Sequence, residues 1–317
     1  MDTRKSTDLT NVMAEALVSD LLRERRFERR WRWVTRTLFI GGSLALSLLY
    51  FFLWAPQLGW RVGPIGDVVG VVRIDGEITQ ASRASAERVV PALRRAFESP
   101  RVKAVVLAID SPGGSPGEAE RIYRAMESLR AEHGKPVVAV ISNVGASAAY
   151  LIALHANKIY AGQYSLVGSI GAVLASWDLH RAAERLEVSQ RLYASGPLKA
   201  MLSPFQPTTP ESDAKARTLI DGIGQTFVAE VRQLRGHRLS DGADIATGEV
   251  WIGRDARALG LVDGIGTLEE VIRNDWRLNW YDFGPRRGGG LLSVETVADL
   301  LQPILEQVLA RLSLQVR

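Results

Sequence analysis

Residues 140–150 of this chain read V-I-S-N-V-G-A-S-A-A-Y, an apolar run that ends in small side chains. The run at 137–141 predicts a buried strand, and the pattern at 150–154 predicts a helix. Ser147 therefore falls at a strand-to-helix junction without bulky neighbours, where backbone N–H groups can face a ligand. Small residues are also typical of tight helix packing, so this stretch alone leaves both interpretations open.

Two further stretches favour the ligand-facing interpretation. Residues 110–116, D-S-P-G-G-S-P, lie between a buried-strand pattern and a helical pattern. Paired glycines there let backbone amides approach an anion closely, although Gly-Gly is also common in plain turns. Residues 195–201, S-G-P-L-K-A-M, place Lys199 in an apolar stretch, although most single lysines are solvated.

Strand patterns alternate with helix patterns through the middle of the chain. This alternation predicts βαβ units and a largely parallel sheet, which is an α/β fold. A longer helix is predicted at 211–235 from its apolar spacing. Strands are predicted at 68–74, 102–109, 136–141 and 158–161, and helices at 85–97, at 116–132 and directly after Ser147.

The N-terminal part carries a membrane signal. Residues 1–36 hold nine Lys or Arg and six Asp or Glu, whereas residues 37–54, T-L-F-I-G-G-S-L-A-L-S-L-L-Y-F-F-L-W, hold no charge. Eighteen uncharged residues after a basic flank predict a transmembrane helix with its N-terminus in the cytoplasm. A cleaved signal peptide and a buried core helix are the alternatives. The sequence after the run lacks a small-x-small cleavage pattern, which favours an uncleaved anchor.

The predicted organisation has six parts. They are a cytoplasmic segment at 1–36, a transmembrane anchor at 37–54, a linker at 55–66, a catalytic domain at 67–283, a hinge at 284–290 and an amphipathic tail at 291–317.

Composition excludes several classes of chemistry. The chain has no cysteine, so thiolate catalysis and disulfides are excluded, and its four histidines show no metal-ligand spacing. His155 follows Ser147 by eight residues, about 12 Å along a helix, which is too far for a general base. Most of the net charge of +4 falls within residues 1–36, and no nucleic-acid motif is present. We therefore expect no metal, no cofactor and no nucleic-acid partner, and a lysine rather than a histidine as base.

Taken together, the motifs resemble the signal peptide peptidases of the short bacterial form, in serine peptidase family S49. The resemblance covers residues 65–275. It rests on S-P-G-G at 111–114, A-S-x-x-Y at 146–150, G-S-I-G at 168–171, S-G-x-x-K at 195–199, S-P-F at 203–205 and G-L-V-D at 260–263. One departure is that Ala148 and Ala149 stand where the family usually has two glycines. An alanine keeps its backbone N–H, so we expect activity to survive.

The resemblance implies a fold and a site. The fold is the crotonase/Clp-protease-like superfold with repeated ββα units, preceded here by one transmembrane helix. The site is a dyad of nucleophilic Ser147 and basic Lys199, with Ser169 orienting the lysine and with Gly114 and Ala148 N–H groups forming the oxyanion hole. A lysine in water has a pKa near 10.4, so a lysine base must be sheltered from water to be neutral near pH 7.

The resemblance also implies a function: membrane-anchored hydrolysis of remnant signal peptides and other short or unfolded hydrophobic polypeptides. The catalytic domain would lie on the periplasmic or extracytoplasmic side of the bacterial inner membrane, in a ring- or dome-shaped homo-oligomer. Whether serine and lysine pair within one chain or between chains is left open. The alternatives are a non-catalytic or partner-specific membrane scaffold of the same fold, a protease for a stomatin-type partner, and an acyl-CoA hydratase of the crotonase superfold.

Overall fold

The computed structural model describes residues 31–51 and 63–285. The chain divides into two compact units, and each is described here by itself. The first holds helix α1, Trp31–Phe51, whose residues are exposed. An 18-residue stretch of this helix has a mean hydropathy of 1.4. At 1.5 Å per residue, its 21 residues extend for about 32 Å, which matches the hydrocarbon thickness of a bilayer. One N-terminal apolar helix of a length that fits a membrane anchor is thus present, as predicted.

The second unit, from Gly63, is an α/β unit built on one mixed sheet. Its described strands are β1 Val68–Asp75, β2 Val102–Ser111, β3 Val137–Ala146, β4 Lys158–Ala161, β5 Leu166–Gly168, β6 Val250–Ile252, β7 Gly264–Ile265 and β8 Asn279–Gly284. Its described helices are α2 Ala86–Glu98, α3 Pro116–His133, α4 Ala148–Leu154, α5 His180–Arg185, α6 Pro210–Arg235, α7 Gly253–Ala258 and α8 Leu268–Asp275.

The sheet order is β6-β5-β3-β2-β1-β8, with β4 paired to both β3 and β7. The described pairings are parallel except for β5 with β6. Strands β1, β2 and β3 are buried along most of their length, as expected of central parallel strands covered on both faces. The predicted α/β class is therefore confirmed.

Helices cover both faces of the sheet. The larger apolar core lies between the sheet and helices α2, α3, α4 and α6, and includes fully buried Phe97, Leu107 and Tyr150. The smaller core lies on the other face, where Leu268, Val271 and Ile272 of α8 cover the outward-facing valines of β1, β2 and β3. Because β2 and β3 are parallel neighbours, the turns that follow them meet at one edge of the sheet.

A polar network behind α4 fixes the segment at 260–263. The Tyr150 hydroxyl donates to the carbonyl of Leu261 (2.7 Å), and burial raises the pKa of this phenol, so it stays a donor. The nearly buried Arg235 guanidinium donates to the Gly260 carbonyl (2.7 Å) and to Asp263 (3.0 Å). Burial raises the pKa of the Asp263 carboxyl, but the bonds from Arg235 and from the Ile159 N–H outweigh burial and lower it overall.

We expect Asp263→Asn to lower the free energy of unfolding by about 3 kcal/mol at pH 7, because it leaves buried Arg235 without its anion. The folded pKa lies below the ordinary 3.8, so the ionic contribution is present above about pH 4 and is lost as pH falls through the folded pKa. Urea unfolding from pH 7 to pH 3.5 checks this. Asp255→Asn, which breaks an exposed pair with Arg254, is the control and should cost below about 1 kcal/mol. Equal losses for the two variants would contradict the prediction.

Residues 1–30, 52–62 and 286–317 lie outside the described residues, and with them most of the predicted segments at 1–36, 55–66, 284–290 and 291–317. The six-part division of the chain stays a prediction. The described part of α1 includes Arg32 and Arg36, which precede the predicted anchor at 37–54, because an arginine interrupts an uncharged run but not a helix.

Candidate active site

Ser147 lies at a sharp turn between β3 and α4. Its φ of 53° and ψ of −125° are unusual for a residue other than glycine and are typical of a functional turn. The turn is held from both sides, since the Ser147 N–H donates to the Gly168 carbonyl (2.8 Å) and its carbonyl accepts from the Leu151 N–H (3.0 Å). The side chain is half-buried, and α4 behind it is wholly buried. The predicted strand-to-helix junction is confirmed.

The glycine turn after β2 lies directly against Ser147. A Cβ added at Gly113 would lie 2.7 Å from the Ala146 oxygen, 2.7 Å from Ser147 Cβ and 3.0 Å from the Ala148 nitrogen. Gly113 also has a φ of 101°, which L side chains rarely adopt. Only glycine therefore allows the two turns to approach this closely.

The same turn leaves the Gly114 amide free. Ile78 bridges the turn, because its N–H donates to the Gly113 carbonyl and its carbonyl accepts from the Ser115 N–H, both at 2.8 Å. Within residues 31–51 and 63–285, no hydrogen bond is made by the Gly114 N–H or by the Ala148 N–H at the start of α4. Two free amides thus flank Ser147, an arrangement suited to binding a developing oxyanion.

Ser169 lies on the other side of Ser147. Strands β3 and β5 are in parallel register, with Ala146 paired to Gly168, so the next step along both strands places Ser147 opposite Ser169. Ser169 also has a positive φ, 51°, and its N–H donates to the Glu249 carbonyl (2.6 Å). The sequence pattern G-S-I-G thus marks a defined turn, and the structure brings Ser169 next to the predicted nucleophile.

Two cavities meet at Ser147. The first, of about 970 Å³, is lined by Gly114 and Ala148, and we call it the amide cavity. The second, of about 680 Å³, is lined by Ser169, and we call it the Ser169 cavity. Ser147 lines both cavities, of which one offers free amides and the other offers a second hydroxyl.

Lys199 lies in residues 174–208, which we call the Lys199 arm. No residue of this arm lines either cavity, and the Lys199 side chain is exposed. The hydrogen bonds described for the arm stay within it, as between the Leu179 N–H and the Pro204 carbonyl (2.7 Å). Several of its apolar side chains are also exposed, including Trp177 at 80% and Tyr193 at 90%. Of the five predicted site residues, one chain brings together Ser147, Ser169, Gly114 and Ala148, but not Lys199.

The C-terminal end of α4 is held by His155, which its spacing from Ser147 excludes as a general base. His155 Nδ1 lies 2.7 Å from Glu127, its Nε2 lies 3.0 Å from Glu230, and its ring stacks on Tyr123 with centroids 3.7 Å apart. These contacts join α3, α4 and α6 and therefore support the turn that carries Ser147. No local pattern identifies this role, because both carboxylates come from distant helices.

Within the described ranges, no group of three or more His, Asp or Glu side chains is placed to hold a metal ion. The polar groups that converge on Ser147 are backbone amides and hydroxyls. They suit nucleophilic attack on a carbonyl carbon, in which the serine oxygen adds and the carbonyl oxygen gains negative charge. Fold and site together define an α/β protein with a serine at a strand–helix turn that is suited to act as a nucleophile.

Comparison with known proteins gives the family. The model described as Peptidase family S49 matches residues 130–280. A putative protease of Synechocystis is 33% identical over 195 residues, covering 62% of this chain and 70% of that protein. The chloroplastic serine protease SPPA of Arabidopsis thaliana is 30% identical over 224 residues, covering 67% of this chain and 33% of that protein. This chain belongs to peptidase family S49, as the motifs predicted.

Other relatives are matched over smaller shares of their length. A Brucella melitensis protein named Na(+)/H(+) antiporter NhaA is 35% identical over 213 residues, covering 66% of this chain and 29% of that protein. The chain thus spans about a third or less of the length of the first relatives it matches. Among solved structures, a mutant of a membrane-bound stomatin-specific protease is 15% identical with a TM-score of 0.41, covering 70% of this chain and 96% of that one.

Proposed function

We propose that this protein is a membrane-anchored serine endopeptidase that cleaves remnant signal peptides and other short or unfolded hydrophobic polypeptides through a Ser147–Lys199 dyad. The observation that carries the proposal is the position of Ser147 between two cavities. A serine nucleophile needs oxyanion donors and a base in different directions, and the amide cavity and the Ser169 cavity offer these two directions.

Acylation would proceed as follows. Ser147 Oγ adds to the scissile carbonyl carbon while neutral Lys199 Nζ takes the hydroxyl proton. The carbonyl oxygen becomes an oxyanion that accepts from the Gly114 and Ala148 N–H groups, each worth about 3 kcal/mol to the transition state. The C–N bond then breaks, and the lysine ammonium returns the proton to the leaving amine. The product is an ester of Ser147 with the N-terminal part of the peptide.

Deacylation uses the same groups. Lys199 takes a proton from a water molecule, whose oxygen adds to the ester carbonyl, and the oxyanion returns to the same two amides. The C–O bond to Ser147 breaks, and the lysine gives its proton to the serine oxygen. Peptide acid is released with the enzyme in its starting state. No cofactor is consumed in either step.

Lys199 is supplied by a neighbouring copy of the chain in this proposal. Two observations on a single chain support this pairing between copies. The Lys199 arm lines neither cavity, and its Trp177 and Tyr193 side chains are exposed. Large apolar side chains that are exposed in one copy are typical of contact surfaces between subunits. Insertion into the Ser169 cavity would bury the amine next to Ser169, and this loss of water favours the neutral form that a base requires.

The substrate class follows from the amide cavity. Its lining includes apolar Leu151, Ile223 and Phe227, which suit extended peptides with apolar side chains. Helix α1 would anchor the protein, with the basic residues before it in the cytoplasm and the catalytic domain on the extracytoplasmic side. Segments left in the membrane after export would then be within reach of the site.

The test is hydrolysis of unfolded casein by full-length protein in detergent. We expect Ser147→Ala and Lys199→Ala each to lower kcat by at least about 10³-fold, because nucleophile and base act as a unit. A peptidyl phosphonate should label wild-type Ser147. Turnover near the wild-type rate by folded, assembled Lys199→Ala protein would refute the dyad, and an assembled wild-type protein that neither cleaves casein nor takes the label would refute the peptidase.

A further inference from the structure

The Ser169 cavity has an uneven distribution of charge. Only two of its lining residues are charged, Asp221 and Arg232, and both lie on the face of α6 that also presents Gln225 and Val228 to the cavity. Arg232 follows Asp221 by eleven positions, which is about 16 Å along the helix, so the two stand at opposite ends and do not pair with each other. Neither side chain forms an ion pair among the described residues.

Further charged groups lie near the Ser169 cavity or line the amide cavity. The Glu249 carboxylate accepts from the hydroxyl of Thr247, which lines the cavity, and the Glu249 carbonyl accepts from the Ser169 N–H. The carboxylate of Glu230 and the Glu120–Arg124 pair line the amide cavity instead. The lining of the Ser169 cavity itself therefore holds one anion and one cation, and the Glu249 carboxylate adds a second negative charge beside Thr247.

We propose that Arg232 tunes the lysine base electrostatically, its positive charge keeping the Lys199 amine neutral once a neighbouring chain has inserted it into the Ser169 cavity. This inference rests on the proposed dyad. A nearby cation disfavours the protonated form of an amine, and Asp221 acts in the opposite sense from the other end of the cavity. Closure of the cavity by the neighbouring chain excludes water and lengthens the range of both effects.

The proposal predicts shifts of the pH–rate profile with opposite signs. Activity rises with pH as the lysine loses its proton, so kcat/KM has an acidic limb. Arg232→Gln removes a charge that opposes protonation and should move this limb up by about half a pH unit, with about a threefold loss of kcat/KM on the limb. Arg232→Lys keeps the charge and should keep the wild-type limb. Asp221→Asn should move the limb down by a similar amount.

The experiment is the pH profile of casein hydrolysis by the four full-length proteins, at 0.05 M and 0.5 M salt, with Ser147→Ala and Lys199→Ala alongside. Both shifts should shrink at high salt, because screening weakens charge effects over this distance. An unmoved limb in Arg232→Gln overturns the inference. So does a loss confined to KM for peptides with a free C-terminal carboxylate, which would make Arg232 a substrate contact. If Lys199→Ala is as active as wild type, the proposed dyad is refuted, and this conclusion does not depend on the results for Arg232.

Discussion

An equimolar mixture of Ser147→Ala and Lys199→Ala chains is expected to hydrolyse casein at about a quarter of the wild-type rate, although each variant alone is inactive. In a ring where each serine meets the lysine of the next chain, half of the chains keep Ser147 and half of their neighbours keep Lys199. Pairing within one chain predicts no recovery at all. The measurement is the rate after co-expression of the two variants, corrected for their ratio by mass spectrometry.

A second mixture controls for assembly. Wild-type chains mixed equally with a Ser147→Ala/Lys199→Ala double variant should also give about a quarter of the wild-type rate if the pair forms between chains, and about half if it forms within one. Both mixtures contain the same amounts of Ser147 and Lys199, so their rates should be equal if the pair forms between chains. A silent first mixture and a half-active second one would overturn pairing between copies and leave the dyad itself standing.

Gly113→Ala is expected to lower kcat/KM by at least about 100-fold. The added methyl would meet the Ala146 oxygen and Ser147 Cβ at 2.7 Å, so the two turns must separate. Displacement of the nucleophile from its oxyanion donors by even 1 Å costs about this factor. Casein hydrolysis, together with the rate of phosphonate labelling, measures the effect on Ser147 directly.

Gly76→Ala is the matched control. Gly76 has a similar positive φ, 83°, but an added Cβ there would meet nothing within 4 Å. Both variants therefore pay the same kind of backbone penalty, of about 1 kcal/mol in stability. Only Gly113→Ala should lose activity. Equal activities in the two variants would show that close approach of the turns does not position Ser147.

The α/β core was predictable because its signals are local. The buried runs that form β2 and β3 are long and apolar, and the helix between them shows clear periodicity, so strand, helix and parallel pairing all follow. The short strand β4 was predicted at 158–161, but β5 and β6 were not. Strand β5 has three residues and β6 has three, and each exists only because a neighbour in the sheet pairs with it. A three-residue run carries no periodicity to detect.

The site was predictable to the extent that its residues follow strands. Ser147, Gly114 and Ser169 each sit in a small-residue turn next to an apolar run, and the structure brings these turns together at one edge of the sheet. Lys199 is different. The sequence places it in an apolar stretch, but no local pattern shows whether it pairs with Ser147 of its own chain or of a neighbouring copy. The contacts of His155 and the positions of Asp221 and Arg232 depend on how α6 packs against the rest of the domain. No short sequence motif predicts that packing.

The burial of all seven residues of α4 has a consequence for how the enzyme would be kept in check. A nucleophile seated on such a rigid support has little freedom to rearrange, so docking of another copy would deliver the missing amine to a serine that is already in place. Newly inserted single copies would then be latent without any propeptide or inhibitor. Proteolysis would switch on with the crowding of copies in the bilayer, at a threshold set by the strength of self-association.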